Sequence, residues 1–315
     1  MNKTFVGSEV PRFQSSGVLV LGFLVLSTAI SVLTAFQAAP PATEVFLAPL
    51  SIAGDKVTVG APVNVSNDPR YDNQPSFLPD SSAILFTSQR DGTQTDIYRY
   101  DIAKKAITQL THTDTNEYSP LVTPDGKTFS TVRGDKQELW RFDLDGSNPR
   151  LAYAHTGLIG YHVWIDGHRL AVFVLGSGSA PATLQLIDTT ANTAEVIESN
   201  IGQSLLMRQP RTSHGTVSYI LRAQGQPAVI KELDPATKKT AVIAPALAGS
   251  QYLTWLPSGG MLMASGTKLS AWHSDATGWV EVADFASAGL TQVTRLSASP
   301  DGKWLALVAM PPAAK

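Results

Sequence analysis

The stretch that decides the fold of this chain runs from Gln74 to Thr111 and reads QPSFLPDSSAILFTSQRDGTQTDIYRYDIAKKAITQLT. Three of its segments are rich in β-branched and aromatic residues and are bounded by Gly, Pro, Asp and Ser: Ala83 to Thr87, Asp96 to Tyr100 and Ala106 to Leu110. Such segments are typical of short β-strands. With a first strand at Ser76 to Leu78, the stretch predicts a unit of four antiparallel strands.

The unit repeats along the chain. Tyr118 to Thr131 (YSPLVTPDGKTFST) and Arg295 to Val308 (RLSASPDGKWLALV) align with its first half. The third positions of six successive turns are spaced by 45, 41, 48, 44 and 43 residues. These positions are Ser81, Gly126, Gly167, Gly215, Gly259 and Gly302. A period near 44 is typical of a propeller or solenoid, and six turns predict six units.

The Pro-Asp-Gly triplets of these turns have a structural explanation. Proline sets the φ angle, aspartate bonds to nearby backbone, and glycine accepts a positive φ. We therefore interpret the following residues as structural turn formers rather than catalytic acids: Pro79, Asp80, Pro124, Asp125, Gly126, Pro300, Asp301 and Gly302.

The two ends of the repeat region complement each other. After its last turn the chain offers one strand, Lys303 to Met310, so the sixth unit lacks its outer half. Two strands without inner partners, Glu44 to Leu50 and Val57 to Val65, precede the first unit. Joining them to the last unit would remove exposed sheet edges. The sequence thus predicts an all-β, six-bladed propeller over residues 44–312, closed by a blade made from both ends of the chain.

The residues before the propeller read as a targeting or anchoring helix. Lys3 and Arg12 precede the apolar run from Gly17 to Phe36, and the twenty residues of that run are about enough to span a bilayer. Residues 1–36 are predicted to be either a signal peptide, cleaved near Ser27-Thr28-Ala29, or a single transmembrane anchor. Residues 37–43 would form a linker, and both alternatives export the propeller to the periplasm or another extracytoplasmic compartment.

Composition excludes several classes of function. A formal net charge of −2 and a pI near 6.3 provide no basic field for nucleic acid. Because cysteine is absent, disulfides, thiolate metal sites and cysteine nucleophiles are excluded.

The motifs of the first unit resemble the repeat of TolB-type, WD-repeat-like β-propellers. They comprise the opening Pro-x-Phe-x-Pro-Asp, the Ser-x-x-x-Gly turn, the Asp-Ile-Tyr strand and the Leu-Thr exit. The resemblance implies a six-bladed propeller; the TolB family is periplasmic, belongs to the Tol-Pal envelope system and binds proteins, including the peptidoglycan-associated lipoprotein. TolB also has an α/β domain before the propeller. Because we expect the first strand near Glu44, no room is expected for that domain, and the Tol partnership is not implied.

Related repeats accompany the serine-hydrolase domain of the prolyl oligopeptidase family. Such a domain needs a Gly-x-Ser-x-Gly elbow and a triad. The near match here, Gly176 to Ala180, falls in a polar loop, so this activity is not expected.

A propeller site is expected where the inner strands begin, around the central channel. Alignment on the turns places there one acid, two arginines, a histidine and several tyrosines, and tyrosine and arginine are favoured binding anchors. The candidate residues are Asn73, Gln74, Glu117, Tyr118, Tyr161, His162, Arg208, Tyr252 and Arg295. They could bind a peptide segment or a polar ligand, or merely hydrogen-bond neighbouring blades.

No catalytic residue, metal site or cofactor is predicted. The six histidines are dispersed without a His-x-x-x-His pair. Calcium-binding propellers use Glu, Asn and Asp, and Glu117 and Asn73 lack a third carboxylate beside them. The favoured hypothesis is an exported, monomeric, non-enzymatic module that binds a protein or peptide of the cell envelope. The alternatives are a channel-metal-dependent hydrolase or lyase, and a scaffold held by an uncleaved membrane anchor.

Overall fold

The computed structural model describes residues 41–90, 92, 94–208, 215–273 and 277–310. The predicted signal peptide or anchor, residues 1–36, lies outside these ranges. Within them, no helix combines the length and the apolarity needed to cross a bilayer.

The described chain forms β-strands and one 3-10 helix, Phe285–Ala288. The first three strands are β1 (Glu44–Ala53), β2 (Lys56–Val59) and β3 (Val63–Asn64). Blade 1 contains β4 (Asp72–Phe77), β5 (Ala83–Ser88), β6 (Asp96–Asp101) and β7 (Ala106–Gln109). Blade 2 contains β8 (Glu117–Val122), β9 (Thr128–Arg133), β10 (Glu138–Asp143) and β11 (Arg150–Tyr153). Blade 3 contains β12 (Ile159–Trp164), β13 (Arg169–Val174), β14 (Thr183–Asp188) and β15 (Thr193–Ser199). Blade 4 contains β16 (Ile201–Arg208), β17 (Thr216–Leu221), β18 (Val229–Leu233) and β19 (Thr240–Pro245). Blade 5 contains β20 (Leu253–Trp255), β21 (Met261–Ser265), β22 (Lys268–Trp272) and β23 (Val280–Asp284). The last two strands are β24 (Val293–Ala298) and β25 (Trp304–Ala309).

Each blade is an antiparallel sheet, and the blades follow one another around a ring. The first strand of each of blades 1 to 5 contacts the first strand of the next blade, and β24 contacts both β20 and β4. The prediction of an all-β, six-bladed propeller of four-stranded antiparallel blades is confirmed.

The sixth sheet, blade 6, has the strand order β2-β1-β25-β24. In its central pair, Glu44 lies opposite Ala309 and Pro49 lies opposite Trp304. The single strand predicted at 57–65 is divided into β2 and β3, which pair with different halves of β1. The break follows from Pro62, which has no N–H for the ladder.

The hydrophobic core lies between the blades. In β5, Ile84 and Phe86 pack toward blade 6, whereas Ala83 and Leu85 pack toward blade 2. Alternate side chains of a strand point to opposite faces of its sheet, and both faces of a blade are covered by neighbours. This arrangement explains why the second strand of the repeat is continuously apolar.

Two tryptophans at the ends of inner strands connect neighbouring blades. Trp164 Nε1 donates to Ser130 Oγ of blade 2 at 2.8 Å, and Trp255 Nε1 donates to Ser218 Oγ of blade 4 at 2.9 Å. Each serine lies in the second strand of the preceding blade and is fully buried. The bonds fix the position of one blade on the next.

The turn carboxylates bond within their own turns. Asp80 accepts from Ser82, Asp125 from Lys127, and Asp301 from Lys303, each through backbone N–H groups at 3.0–3.1 Å. These bonds are those expected of turn-forming residues.

Candidate functional site

The six inner strands line a central channel and run in one direction along it. Each inner strand is the first of its blade in chain order, or, in blade 6, the first of the final pair. We call the end where these strands begin the start face, and the end where they enter the turns the turn face. The channel encloses a cavity of about 610 Å³, which is within the usual range for ligand sites.

The cavity wall contains both apolar and polar side chains. Its apolar residues include Leu121, Val163, Leu205, Leu206, Leu256 and Leu296. Trp255, Pro257 and Pro300 line it toward the turn face, and the two prolines are exposed there.

Irregular backbone at the start face directs polar groups between blades. The pairing register shifts between Asn73 and Ser76, and Gln74 within that shift has a φ of 58°. Such bulges re-aim side chains. Gln74 Oε1 accepts from Thr87 Oγ1 and from the backbone N–H of Ser119 in blade 2, each at 2.8 Å. Gln74 therefore helps to hold the first two blades together at the channel.

At the start face, Arg295 of blade 6 reaches across the channel. Its guanidinium donates to the hydroxyl of Tyr161 in blade 3, the blade opposite, and lies 4.7 Å from the centre of that ring. It also lies 4.0 Å from the ring centre of Tyr252 in blade 5. Both distances are those of cation–π contacts. Tyr252 in turn donates to Gln203 of blade 4. We call Arg295, Tyr161, Tyr252 and Tyr71 the Arg295 cluster.

Electrostatics keep the Arg295 cluster cationic. Burial raises the pKa of Tyr71 and of Tyr252, although the Arg295 guanidinium opposes that rise, so both phenols stay protonated at neutral pH. Burial also acts to lower the pKa of Arg295, but the surrounding phenols outweigh it and raise the pKa. Among the described residues, no carboxylate lies within ion-pair distance of Arg295.

The other arginine of the channel is neutralised. Arg208 forms an ion pair with Glu232 and stacks 4.3 Å from the ring centre of Trp255. Arg208 is the last residue of β16. It therefore lies at the turn face, not at the start face where the alignment placed it, because β16 ends before the turn by more residues than the other inner strands do.

His162 lies in the channel wall and is bonded to Ser130 at 2.7 Å through Nε2. Ser130 Oγ also accepts from Trp164 and donates to the Leu121 carbonyl at 3.1 Å. With its own proton used there, Ser130 accepts from the imidazole, so Nε2 carries the proton and buried Nδ1 has no partner. Burial lowers the pKa of His162 to about 3. His162 is therefore a neutral donor within a structural network.

Three candidates lie outside the cavity lining. Asn73 is buried and donates to Thr43 Oγ1 at 3.2 Å. Tyr118 packs against the core between blades 2 and 3. Glu117 is fully buried, 3.6 Å from Arg133 Nε. Of the predicted site residues, Gln74, Tyr161, His162, Arg208, Tyr252 and Arg295 line the channel.

Glu117 has an unusual ionisation because of its position. Burial raises its pKa to about 7, against the opposing effects of Thr111 and Arg133. Asp72 occupies the corresponding place in blade 1, where burial raises its pKa while Arg90 lies 3.6 Å away. These acids belong to the blade framework and not to the channel surface.

Two start-face residues, Tyr71 and Gln203, were not predicted from the sequence. Tyr71 lies just before β4, at the bridge with Thr43. Gln203 was not selected because the alignment of blade 4 placed Arg208 at the start of the inner strand. Within the described ranges, no group of three His, Asp or Glu side chains is arranged to hold a metal ion.

Together these features define a six-bladed β-propeller whose channel is crossed by an arginine held among tyrosines. No family profile matches the chain. The putative TolB from Agrobacterium tumefaciens has a similar structure, with a TM-score of 0.62 and 16% identity over 85% of this chain and 98% of that one. TolB from Acinetobacter baumannii matches with a TM-score of 0.54 and 15% identity over 84% of this chain. This chain covers 63% of that TolB. The chain therefore has the TolB-like propeller fold, as the repeat motifs predicted.

The same fold also carries catalysis. An oligogalacturonate lyase in complex with manganese matches with a TM-score of 0.53 and 16% identity, over 87% of this chain and 99% of the lyase. At such identities the similarity shows the fold alone.

Proposed function

We propose that this protein is a non-enzymatic interaction module that binds a protein or peptide segment in its central channel. The observation that carries the proposal is the cavity of about 610 Å³, whose wall combines apolar side chains with tyrosine, tryptophan and arginine. Aromatic residues and arginine dominate the energetics of protein recognition. An extended segment would suit a channel of this kind, because the wall offers both apolar side chains and hydrogen-bonding groups.

The contacts of Ser130 and His162 support a structural role for this pair. The serine proton is used by a backbone carbonyl, and its lone pairs accept from an indole and an imidazole. A nucleophilic serine instead donates to its base, which a third group orients. The pair is accordingly assigned to the framework of the channel.

The proposed setting is the extracytoplasmic side of the cell envelope, where the protein acts as a monomer on a protein partner. The apolar run from Gly17 to Phe36 and the TolB-like fold support this setting. The near-neutral net charge of −2 gives no reason to invoke nucleic acid. Membrane contact would occur through the N-terminal segment if it is retained.

Site-specific photo-crosslinking tests the binding role. A photoreactive phenylalanine analogue replaces Ser297, which lines the channel, in the full-length protein expressed in its own envelope. The matched control places the same analogue at Val242, an exposed residue of the outer strand β19. Adducts to one protein from Ser297 and none from Val242 are expected. Equal adducts at both positions, or none at Ser297 in folded protein, would contradict the proposal.

A metal-dependent hydrolase or lyase is the alternative. A metal that binds only the folded state raises the melting temperature. We expect chelator, Mn²⁺ and Ca²⁺ to leave the melting temperature of the full-length protein unchanged. A rise of several degrees at micromolar metal would favour the alternative.

A further inference from the structure

We propose that Arg295 recognises the C-terminal carboxylate of the peptide that enters the channel. This inference rests on the proposed function and specifies the chemistry of its ligand. It is carried by the position of Arg295, a cation without an ion-pair partner among the described residues, whose side chain crosses the channel near the start face.

The side chain of Arg295 obstructs the channel near the start face. Arg295 bonds to Tyr161 on the opposite blade and stacks on Tyr252, so the guanidinium crosses the channel axis. The exposed prolines Pro257 and Pro300 lie at the turn face, where the cavity meets solvent. A segment entering from the turn face therefore reaches the guanidinium last.

The charges point to a monoanion. The guanidinium has five N–H donors, and one of them is used by the Tyr161 hydroxyl. The second channel arginine, Arg208, is neutralised by Glu232. Within the part of the chain that the structure describes, Arg295 has no ion-pair partner, and its single positive charge matches the single charge of a carboxylate. Arginine binds carboxylates through two parallel hydrogen bonds.

The dimensions set the length of peptide between the turn face and Arg295. From Arg295 to Pro300 the wall is five residue steps long, which is about 17 Å in a strand. About five residues of extended peptide cover that length. Leu206 and Leu296 lie in the wall along this path together with polar residues such as Ser297 and Thr254, so the residues before the carboxylate would meet both apolar and hydroxyl side chains.

The test uses an array of random hexapeptides attached to a support through their N-termini, each prepared with a free carboxylate and as an amide. The full-length protein is applied, and Kd is measured for the strongest binders in both forms. The acid form is expected to bind at least tenfold more tightly. Arg295→Gln should abolish this preference, and Arg295→Lys should retain part of it, because lysine keeps the charge but not the two-pronged geometry.

Arg150→Gln is the matched control, since it removes the same charge from the exposed outer strand β11; its acid preference should equal that of the wild type. Circular dichroism and melting temperature verify that each variant is folded. Equal binding of acids and amides, a preference that persists in Arg295→Gln, or a preference that follows internal Glu rather than the terminus would overturn the inference. Absence of binding to any hexapeptide would also overturn it. Crosslinking from Ser297 tests the proposal of channel binding independently of the carboxylate preference.

Discussion

Replacing Glu117 with glutamine should change how the stability of the propeller depends on pH. Glu117 is fully buried beside Arg133, and its pKa rises from an ordinary value of 4.5 to about 7. Between these values the folded protein holds a proton that the unfolded chain has released. The free energy of unfolding therefore falls as pH rises from about 4.5 to 7, and the contribution of Glu117 is fully present only below 4.5.

The magnitude follows from the two pKa values of Glu117. Each tenfold change in proton affinity corresponds to about 1.4 kcal/mol, so the wild type should lose about 3 kcal/mol through this group between pH 4.5 and 8.5. Glutamine has nearly the same shape and binds no proton. The stability difference between Glu117→Gln and wild type should accordingly shift by about 3 kcal/mol in favour of the variant over that range.

Urea unfolding followed by tryptophan fluorescence measures this difference at both pH values. Comparing the variant with wild type at each pH cancels every effect of the substitution that does not depend on pH. Glu195→Gln, which removes the same charge from an exposed residue of β15, is the matched control. A Glu117→Gln difference that is the same at pH 4.5 and 8.5 within about 0.5 kcal/mol would refute the assigned ionisation.

Three further predictions concern buried contacts of the framework. Ser130→Ala should lower the free energy of unfolding in urea by about 2–4 kcal/mol, because it leaves both an indole and an imidazole N–H without an acceptor. Ser218→Ala leaves only one indole N–H without an acceptor and should cost about 1–3 kcal/mol. Equal costs would contradict the network. Gly146→Ala should cost about 3 kcal/mol or more, because Gly146 has a φ of 87° and an added Cβ would lie 1.8 Å from a backbone oxygen. Gly54→Ala also has a positive φ but has open space around the Cβ, and it should cost about 1 kcal/mol by the same assay. Burial of His162 lowers its pKa from 6.5 to about 3, so its contribution is present above pH 6.5 and is lost on acidification at up to about 1.4 kcal/mol per pH unit; His162→Gln should lack this slope.

The sequence predicted the architecture well because each copy of the repeat is defined by residues that lie close together in the chain. Turn formers such as Pro79 and apolar runs such as Ala83 to Thr87 depend on neighbouring residues in the chain, and six copies reinforce one another. The channel was harder to predict. Glu117 starts an inner strand yet turns into the blade, because a strand position does not reveal which face its side chain occupies. Arg208 was misplaced because the strand and turn of blade 4 have unusual lengths.

The contact between Arg295 and Tyr161 could not be predicted from the sequence. The two residues are 134 positions apart and belong to opposite blades. The repeat gives the order of blades around the ring, but a bond across the channel depends on the diameter of the ring and the reach of one long side chain. Repeat patterns encode contacts between adjacent units, not between distant ones.

That same contact has a mechanical consequence for the ring. Contacts between adjacent blades act as a hoop, which resists separation around the circumference, whereas the Arg295–Tyr161 bond acts as a spoke across the diameter. A ligand that accepts from the other N–H groups of the guanidinium leaves this bond in place. Blades 3 and 6 are therefore held together directly across the channel as well as through the blades between them.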